Sequence, residues 1–452
     1  MSIRSSTTRS MSVIALVTCV LLQAGCIDDV AEGDLVTWHE HIEPILKGRC
    51  VGCHQPGSIG PFDLSSYEQA HKLRHAIAAE VSSRRMPPWG AGKEVAYSGD
   101  MSLSDEQVAL VEKWAAQGAP RGDGSRQGPA LANVNSAPPR ADVTLKMPVA
   151  YTPKKTPDDY RCFILDWPLD KTSFVSGFIA RPGNTKLVHH VAVFLLNPGD
   201  LISPATLKAL AQLDADDPGA GYTCYGGPTG TSGIMVPIQQ LGQWVPGSAG
   251  DIFSAGTGIR VVAGAKVVLQ LHYNLSSAAS QSDQTEVDFQ VESEVAHEAS
   301  FAPWLKASWA VQPDTMKIPA GQNPVIHQYR EDPRGFFKTM SGGMDLSEGF
   351  DVHSVLLHMH QLGVRGEAVI HRGDGSTVPL LVVPRYDFNW QRVYWLAKPV
   401  RFHPGDELSV TCRWDNSAAN QPVIDGKQAK PTDVVWGEGT GDEMCVANLY
   451  VS

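Results

Sequence analysis

The pattern of apolar residues changes at residues 124–140, a stretch rich in Gly, Pro, Ser and Asn that has no periodicity. Before this stretch, apolar residues recur at the spacing of one helix face, at Ala70, Leu73, Ile77 and Val81. After it, short runs rich in β-branched residues alternate with turn signals built from Gly, Pro, Asn and Asp. The chain is therefore predicted to fold as a small all-α domain followed by antiparallel β-sandwiches.

The length of 452 residues suggests roughly three domains, since about 150 residues per domain is usual. Ser104 and Gln107 have the spacing of a capping box and predict the start of a helix before the linker. The polar run 276–285 is the predicted boundary between two sandwiches. The predicted domains are a helical domain at 34–123, a linker at 124–142, and jelly-roll-like β-sandwiches at 143–283 and 284–452.

The net charge of −11, without a long run of Lys or Arg, argues against nucleic acid or an anionic membrane surface as the main partner. A small-molecule substrate fits this composition better. After the first 26 residues, no stretch approaches the ~20 apolar residues that are needed to cross a bilayer.

Residues 1–26 have the features of an export signal. Arg4 and Arg9 precede the apolar run Met11–Leu22, and small residues follow it. Cys26 is a candidate site for a lipid anchor, although Gln23 stands where a lipobox usually has an aliphatic residue, and plain signal cleavage is the alternative. The mature protein is expected to be exported, periplasmic or extracellular, and attached to a membrane only through a lipid at Cys26.

The sequence Cys50-Val51-Gly52-Cys53-His54 has the pattern of a c-type haem attachment site. Two thiols at this spacing can add across haem vinyl groups, and the adjacent His54 can ligate the iron. With only eight Cys and 15 His in the chain, a chance match is rare. A redox dithiol and half of a zinc site are the alternatives.

Met86 is the candidate for the second axial ligand of this haem. It precedes Pro87 and Pro88, which exclude a helix and place the thioether on a loop. His71 and His75, four residues apart on a predicted helix, are the competing ligands.

Potential metal ligands occur in a distinctive order along the predicted sandwiches. In a strand, His358 and His360 would point to the same face and could hold one ion. The adjacent residues His189 and His190 could do so only at a strand end or a bulge. The six candidate ligands are His189, His190, His272, His358, His360 and Met444.

The ligand types indicate which metals these sites would hold. Imidazole suits copper and zinc, whereas a thioether such as that of Met444 selects Cu(I). The three-histidine set of His189, His190 and His272 could equally bind zinc with a water. The ligand types thus favour copper at the Met444 site and leave copper and zinc open at the three-histidine site.

The β portion, roughly residues 143–452, resembles the copper type II, ascorbate-dependent monooxygenases, the family of peptidylglycine α-hydroxylating monooxygenase and dopamine β-monooxygenase. The helical portion resembles a small cytochrome c. The segments that carry the first resemblance are Tyr160-Arg161-Cys162, Val188-His189-His190, Leu269-Gln270-Leu271-His272-Tyr273, His358-Met359-His360 with Leu362-Gly363, and Asp442-Glu443-Met444-Cys445.

This resemblance implies that His189, His190 and His272 hold an electron-storing copper, and that a second copper site binds oxygen. The ligands of that second site would be His358, His360 and Met444. The resemblance also implies one disulfide in each sandwich, Cys162 to Cys224 and Cys412 to Cys445. Tyr160 and Gln270 would face the substrate or the path of the reducing electrons.

The implied reaction is hydroxylation of a C–H bond of a small organic substrate with O2. Ascorbate or another one-electron reductant, through a redox partner or the fused haem, would supply the electrons. Family members that act on peptides anchor a substrate carboxylate with an Arg two residues before His-x-His. Leu356 stands at that place, and it cannot donate paired hydrogen bonds to a carboxylate.

Two other functions are compatible with these residues. One is a non-catalytic periplasmic electron-transfer or copper-binding protein in which the haem is the functional centre. The other is a zinc hydrolase that uses the three-histidine site.

Overall fold

Residues Val36–Ser452 form one compact unit of the computed structural model. The predicted export signal, including Cys26, and residues 132–137 of the predicted linker lie outside the described residues. Within the described ranges, no helix has the length and apolar character that crossing a membrane requires. These ranges are 35–56, 60–131, 138–156, 158–199, 202–225, 227–230, 238–245, 248, 250–275, 281–424, 427–439 and 441–452.

The first part of the compact unit is helical. A π-helical turn at Trp38–Ile42 continues directly into α1 (Glu43–Arg49), and α2 (Tyr67–Ser82) and α3 (Asp105–Ala116) follow. The predicted capping box is confirmed, because the Ser104 side chain accepts from the Gln107 amide and the Gln107 side chain accepts from the Ser104 amide.

The helices are held together by one apolar core. Ala70, Ile77 and Val81 of the predicted α2 face are buried in it. Trp38 and Trp114 lie beside each other there, with ring centroids 6.0 Å apart. The helical periodicity of the sequence therefore corresponds to the face that α2 buries.

Two sheets built from residues 143–298 pack face to face over a second core, which includes Phe163 and Leu271 from one sheet and Phe178 and Phe289 from the other. The strands are β1 (Val143–Lys146), β2 (Asp158–Asp166), β3 (Ser173–Arg181), β4 (Val188–Leu196), β5 (Tyr222–Thr223), β6 (Gln239–Trp244), β7 (Asp251–Ile252), β8 (Thr257–Val261), β9 (Lys266–Asn274), β10 (Glu286–Glu292) and β11 (His297–Glu298), with α4 (Pro204–Asp216) between β4 and β5. Strand order is β5-β2-β9-β4-β6 in one sheet and β1-β10-β3-β8-β11 in the other, where β7 also pairs with β3.

Two further sheets share a third core, which contains Trp304, Phe350, Val410 and Trp414. Their strands are β12 (Ser300–Trp304), β13 (Val325–Glu331), β14 (Phe350–His358), β15 (Gly363–His371), β16 (Thr377–Val383), β17 (Tyr394–Phe402), β18 (Glu407–Trp414) and β21 (Val446–Val451), and a small ribbon contains β19 (Val423–Ile424) and β20 (Lys427–Gln428). The sheets run β12-β21-β14-β17 and β13-β18-β15-β16. The remaining helical elements are α5 (Ala307–Val311), α6 (Arg334–Met340) and 3-10 turns at Pro313–Met316, Phe388–Trp390 and Ala418–Asn420.

The strand pairing differs from the domain boundary predicted between 283 and 284. β10 lies after that boundary, yet it pairs with β1 and β3 of the first pair of sheets. β11 also pairs with the first group, through β8. By their pairing, β10 and β11 belong to the first sandwich, because a strand is assigned by its hydrogen-bonded neighbours and not by the loop before it.

The helical part is joined to the second sandwich by backbone hydrogen bonds. The Gly92 amide donates to the Val382 carbonyl over 2.8 Å, and the Ser98 amide donates to the Trp395 carbonyl over 2.8 Å. Trp89 packs its ring edge against Tyr394, with centroids 5.0 Å apart. The residues that follow α2 are therefore held on the surface of the second sandwich.

Candidate metal centres and the thiol-lined cavity

The structure brings His189, His190 and His272 together, with one candidate ligand atom from each lying within 4.8 Å of the others. His272 lies on β9 and His190 is its partner on β4. The register shifts between Val188 and His190, so a bulge at His189 breaks the alternation of side chains. This is the irregularity that two adjacent ligands on one strand require.

Hydrogen bonding fixes which nitrogen of His272 has a free lone pair. Nε2 of His272 lies 2.8 Å from a carboxylate oxygen of Asp158, so this nitrogen carries the proton. Nδ1 is left with its lone pair and lies 3.3 Å from Nδ1 of His190. Buried Nδ1 of His189 has no hydrogen-bond partner. The lone pair on Nδ1 of His272 and the unpartnered Nδ1 of His189 lie in one cluster, and such an arrangement fits a bound metal ion.

Burial keeps the imidazoles of His189 and His190 neutral. It lowers the pKa of His189 to about 4, with a further contribution from His272. Burial, followed by His272 and His189, also places the pKa of His190 well below its ordinary value. Neutral imidazole is the form that binds metal, so His189 and His190 need not lose a proton at neutral pH.

The Tyr160 ring lies beside the three-histidine cluster, and Gln270 lies two residues before His272 on β9. Tyr160 pairs with His272 across β2 and β9, and their rings stack with centroids 4.1 Å apart. Gln270 donates to the Cys224 carbonyl over 2.9 Å. Cys224 forms the disulfide with Cys162 that the family resemblance implied. The bridge thus ties β2 to the segment that holds Gln270 in place.

His358 and His360 form a second imidazole pair, with their Nε2 atoms 3.2 Å apart. β14 ends at His358, so His360 lies just beyond the strand and not on it. Nδ1 of His358 is 2.6 Å from the Gln391 side-chain oxygen, and Nδ1 of His360 is 3.0 Å from the Asp442 carbonyl. Both Nδ1 atoms face acceptors and must carry the protons.

Both Nε2 atoms of this pair therefore present lone pairs to each other. Two lone pairs at 3.2 Å repel unless a cation or a proton lies between them. Ligand nitrogens about 2.0 Å from one tetrahedral ion are expected to be about 3.3 Å apart, which agrees with this separation. Burial, the main cause, lowers the pKa of His360 to about 3, so a shared proton is disfavoured.

Met444 is positioned beside this pair by the strand pairing that follows it. Val446 on β21 pairs with His358 on β14, so the residues before Val446 run alongside those after His358. The side chain of Met444 is buried. Cys445, the next residue, forms the second implied disulfide, with Cys412 on β18. The bridge anchors Met444 through its neighbour.

Glu443 connects the two segments that carry these ligands. Its carboxylate is fully buried and accepts from the amides of His360, over 2.8 Å, and Leu362, over 2.6 Å. It also accepts from the Trp414 indole over 2.8 Å. Because Glu443 precedes Met444, the carboxylate fixes the position of His360 relative to Met444.

Cys50 and Cys53 are free thiols that line an apolar cavity of about 310 Å³. His54 also lines it. His54 Nδ1 lies 3.3 Å from the Phe62 carbonyl, which leaves Nε2 with its lone pair. Burial, followed by the neighbouring Cys53, raises the pKa of the Cys50 thiol to about 12. A reactive redox dithiol usually has a lowered thiol pKa, so this cavity is unlike such a site.

Two thioethers line the same cavity. Met86 lies on the loop after α2, as its sequence predicts, and Met101 is a second sulfur that sequence reasoning missed. His71 and His75 do not line the cavity, and the His71 ring instead lies beside Tyr67.

Several residues with a direct role in shaping these sites were not singled out from sequence. Glu443 lies inside a motif that the resemblance highlights, and Asp158 lies two residues before Tyr160. Gln391 and Met101 belong to no recognised motif. Only the spatial arrangement relates these two residues to His358 and to the cavity.

Residues 314–451 match the family model described as copper type II ascorbate-dependent monooxygenase, C-terminal domain. The matched segment contains His358, His360, Met444 and the disulfide between Cys412 and Cys445. A relative, DBH-like monooxygenase protein 1 of Mus musculus, is 31% identical over 109 residues, or 24% of this chain and 16% of that protein. The chain thus spans about a sixth of that relative. Together these similarities support a copper-dependent, monooxygenase-like protein.

Proposed function

We propose that this chain is a copper-dependent monooxygenase that hydroxylates a C–H bond of a small organic substrate with O2. The observation that carries the proposal is the pair of facing Nε2 lone pairs of His358 and His360, each with its Nδ1 proton held by an acceptor. This pair lies in the segment that matches the copper monooxygenase family model. The whole chain, with its second ligand cluster, is proposed to belong to that family.

The chain's own residues would hold two copper ions, which supply one-electron chemistry and O2 activation when they are bound. His358, His360 and Met444 are the proposed ligands at the oxygen-binding site, and the remaining three histidines would hold the electron-storing ion. A thioether beside two imidazoles favours Cu(I). Gln391 and the Asp442 carbonyl keep the imidazoles of His358 and His360 oriented with Nε2 toward the metal position.

The thiol-lined cavity would hold a c-type haem. Cys50 and Cys53 would form the thioether bonds, His54 Nε2 would be one axial ligand and Met86 the other. The cavity's apolar lining and the free thiols at CxxCH spacing support this assignment. Haem would supply electrons, and ascorbate or another one-electron donor would reduce it.

The fold class proposed on this basis is a small cytochrome c-like domain followed by two copper-binding β-sandwiches. The two disulfides are consistent with an exported protein, because such bonds persist in oxidising compartments. A periplasmic location and a lipid anchor at Cys26 remain proposals from the sequence.

The test is oxygen uptake with ascorbate across a panel of small organic substrates, with copper-loaded protein. Met444→Leu removes the sulfur but retains an apolar side chain of similar size, a change that usually costs less than about 1.5 kcal/mol. Met344→Leu is the matched control, since Met344 packs on the same core outside the ligand set. We expect Met444→Leu alone to abolish coupling of oxygen uptake to hydroxylated product.

Other outcomes would identify the alternatives. Electron exchange without any hydroxylated product from the panel would favour a non-catalytic electron-transfer or copper-binding protein. Absence of a type II copper signal in electron paramagnetic resonance after copper loading would refute the monooxygenase proposal. Equal coupling in Met444→Leu and wild type would refute the ligand assignment.

A further inference from the structure

The thiol-lined cavity and the His358–His360 pair lie on opposite sides of one short segment. Trp390, at the end of the 3-10 turn Phe388–Trp390, lines the cavity together with Cys50 and Cys53. The next residue, Gln391, accepts the Nδ1 proton of His358 over 2.6 Å. A single peptide bond therefore connects a wall of the cavity with a hydrogen bond to a metal-ligand candidate.

The backbone conformation explains why consecutive side chains reach different sites. Gln391 is extended, with φ −83° and ψ 128°. In an extended chain, neighbouring side chains point to opposite sides, while alternate ones share a side. Accordingly, Trp390 and Arg392 both face the helical part, where Arg392 donates to Met101 over 2.9 Å, and Gln391 faces His358.

The segment is also fixed against the histidine pair by contacts of its own. The side-chain Nε2 of Gln391 donates to the Phe388 carbonyl over 3.0 Å, and this hydrogen bond turns the Gln391 Oε1 toward His358. The Phe388 ring lies edge-on to the His360 ring, with centroids 5.9 Å apart. Hydrogen bonds at both the oxygen and the nitrogen of its side-chain amide therefore give Gln391 a defined orientation.

The direct hydrogen bond from the segment that lines the cavity leads to the His358–His360 pair, although an adjoining cavity that also contains Cys53 and Trp390 touches Gln243 and Asp251 of the first sandwich. The walls of the thiol-lined cavity come from the helical part and from Trp390, and among its described lining residues none belongs to the first sandwich. The hydrogen bonds from Gly92 to Val382 and from Ser98 to Trp395 hold the helical part on the second sandwich. The cavity and the His358–His360 pair are thus linked by direct contacts between the helical part and the second sandwich.

We propose that Trp390 and Gln391 form the electron-transfer connection between the haem cavity and the His358–His360 site, so that haem electrons enter at this site and not at the three-histidine site. Trp390 is the side chain between the two centres, and Gln391 is a positioning residue for His358. This inference rests on the proposed function, because it assumes haem and copper at these sites.

The electron balance of the connection is one for one. With both groups bound, ferrous haem would give up one electron and become ferric, and one cupric ion held by His358 and His360 would become cuprous. No bond breaks and no proton moves, because Gln391 continues to accept the Nδ1 proton of His358. An external one-electron donor of the ascorbate class restores the ferrous haem.

The test uses the full chain, matured with covalent haem and loaded with cupric ions, under anaerobic conditions. A limiting one-electron reductant is mixed in, haem absorbance is followed by stopped flow, and freeze-quenched samples report the cupric signal by electron paramagnetic resonance. Haem reoxidation should coincide with loss of one cupric signal. It should persist in His272→Ala and be lost in His360→Ala.

Each of the two connecting residues is tested with one disruptive and one conservative substitution. Trp390→Leu should slow haem reoxidation by roughly tenfold or more, equivalent to ~1.4 kcal/mol in activation free energy, and Trp390→Phe should restore it. Gln391→Leu should change the cupric signal of the His358 site, whereas Gln391→Glu, which can still accept the Nδ1 proton, should retain it. A structural role alone would not give this pattern of rescue.

Three results would overturn the inference. They are unchanged reoxidation in Trp390→Leu, reoxidation that requires His272 but not His360, and matured protein that carries no haem. Failure of the proposed function would look different, because electron transfer through Trp390 would persist while no substrate in the panel was hydroxylated.

Discussion

Replacing Glu443 by alanine is expected to weaken copper binding at the His358–His360 pair more than at the three-histidine cluster. The buried carboxylate accepts three hydrogen bonds, from the amides of His360 and Leu362 and from the indole of Trp414. Each buried donor left without a partner costs about 1–3 kcal/mol, so the free energy of unfolding should fall by at least about 3 kcal/mol. Loss of a group that orients a ligand typically lowers metal affinity by roughly 10- to 100-fold.

The measurement is a competitive Cu(I) titration with a chelator, combined with denaturant unfolding of the metal-free protein. Glu443→Gln retains one acceptor oxygen and should fall between wild type and Glu443→Ala. Glu407→Gln is the control, because Glu407 lies on the surface of the same sandwich, paired with Arg330, and surface changes usually stay within about 0.5 kcal/mol. If the Cu(I) affinity of the His358–His360 site in Glu443→Ala stays within twofold of wild type, the positioning role of Glu443 is refuted.

Three further predictions concern the first sandwich. In metal-free protein, burial lowers the folded-state pKa of His189 to about 4, below its unfolded value of 6.5. The contribution of His189 to folding stability is therefore full above pH 6.5 and is lost as the pH falls toward 4. In that window the unfolding free energy of wild type relative to His189→Gln should decrease by about 1.4 kcal/mol per pH unit, and a difference that does not vary with pH would contradict this. Replacing both Cys162 and Cys224 by Ser should destabilise the protein by about 4 kcal/mol, since the bridge spans a sequence separation of 62, and an unchanged denaturation midpoint would argue against the bridge. Asp158→Ala should lower copper affinity at the three-histidine site by roughly tenfold or more, because His272 loses the acceptor that fixes its tautomer, and a titration showing equal loss at both copper sites would exclude this local effect.

The local chemistry could be derived from sequence because it depends on spacing. The capping box needs only Ser104 and Gln107 three residues apart, and it is present as predicted. Adjacent ligands on one strand require a strand end or a bulge, and the structure has a register shift at His189, one residue after β4 begins. The disulfide pairs implied by the family resemblance are also present.

The domain boundary shows the limit of that reasoning. A polar run at 276–285 has the composition of a linker, but composition does not specify which strand a later segment pairs with. β10 returns to the first sandwich to pair between β1 and β3, and this long-range pairing has no local signature.

The sequence by itself determined the chemical types and the order of the ligands: two thiols and a histidine near the start, then imidazoles, and finally a thioether. The tertiary structure decided which nitrogen of His272, His358 and His360 faces the metal position, because their acceptors Asp158, Gln391 and Asp442 come from other segments of the chain. It also decided that the cavity of Cys50 and Cys53 lies against the second sandwich. Hydrogen bonds between residues hundreds of positions apart, such as those that join Gly92 and Ser98 to the second sandwich, produce this arrangement, and periodicity and spacing cannot encode it.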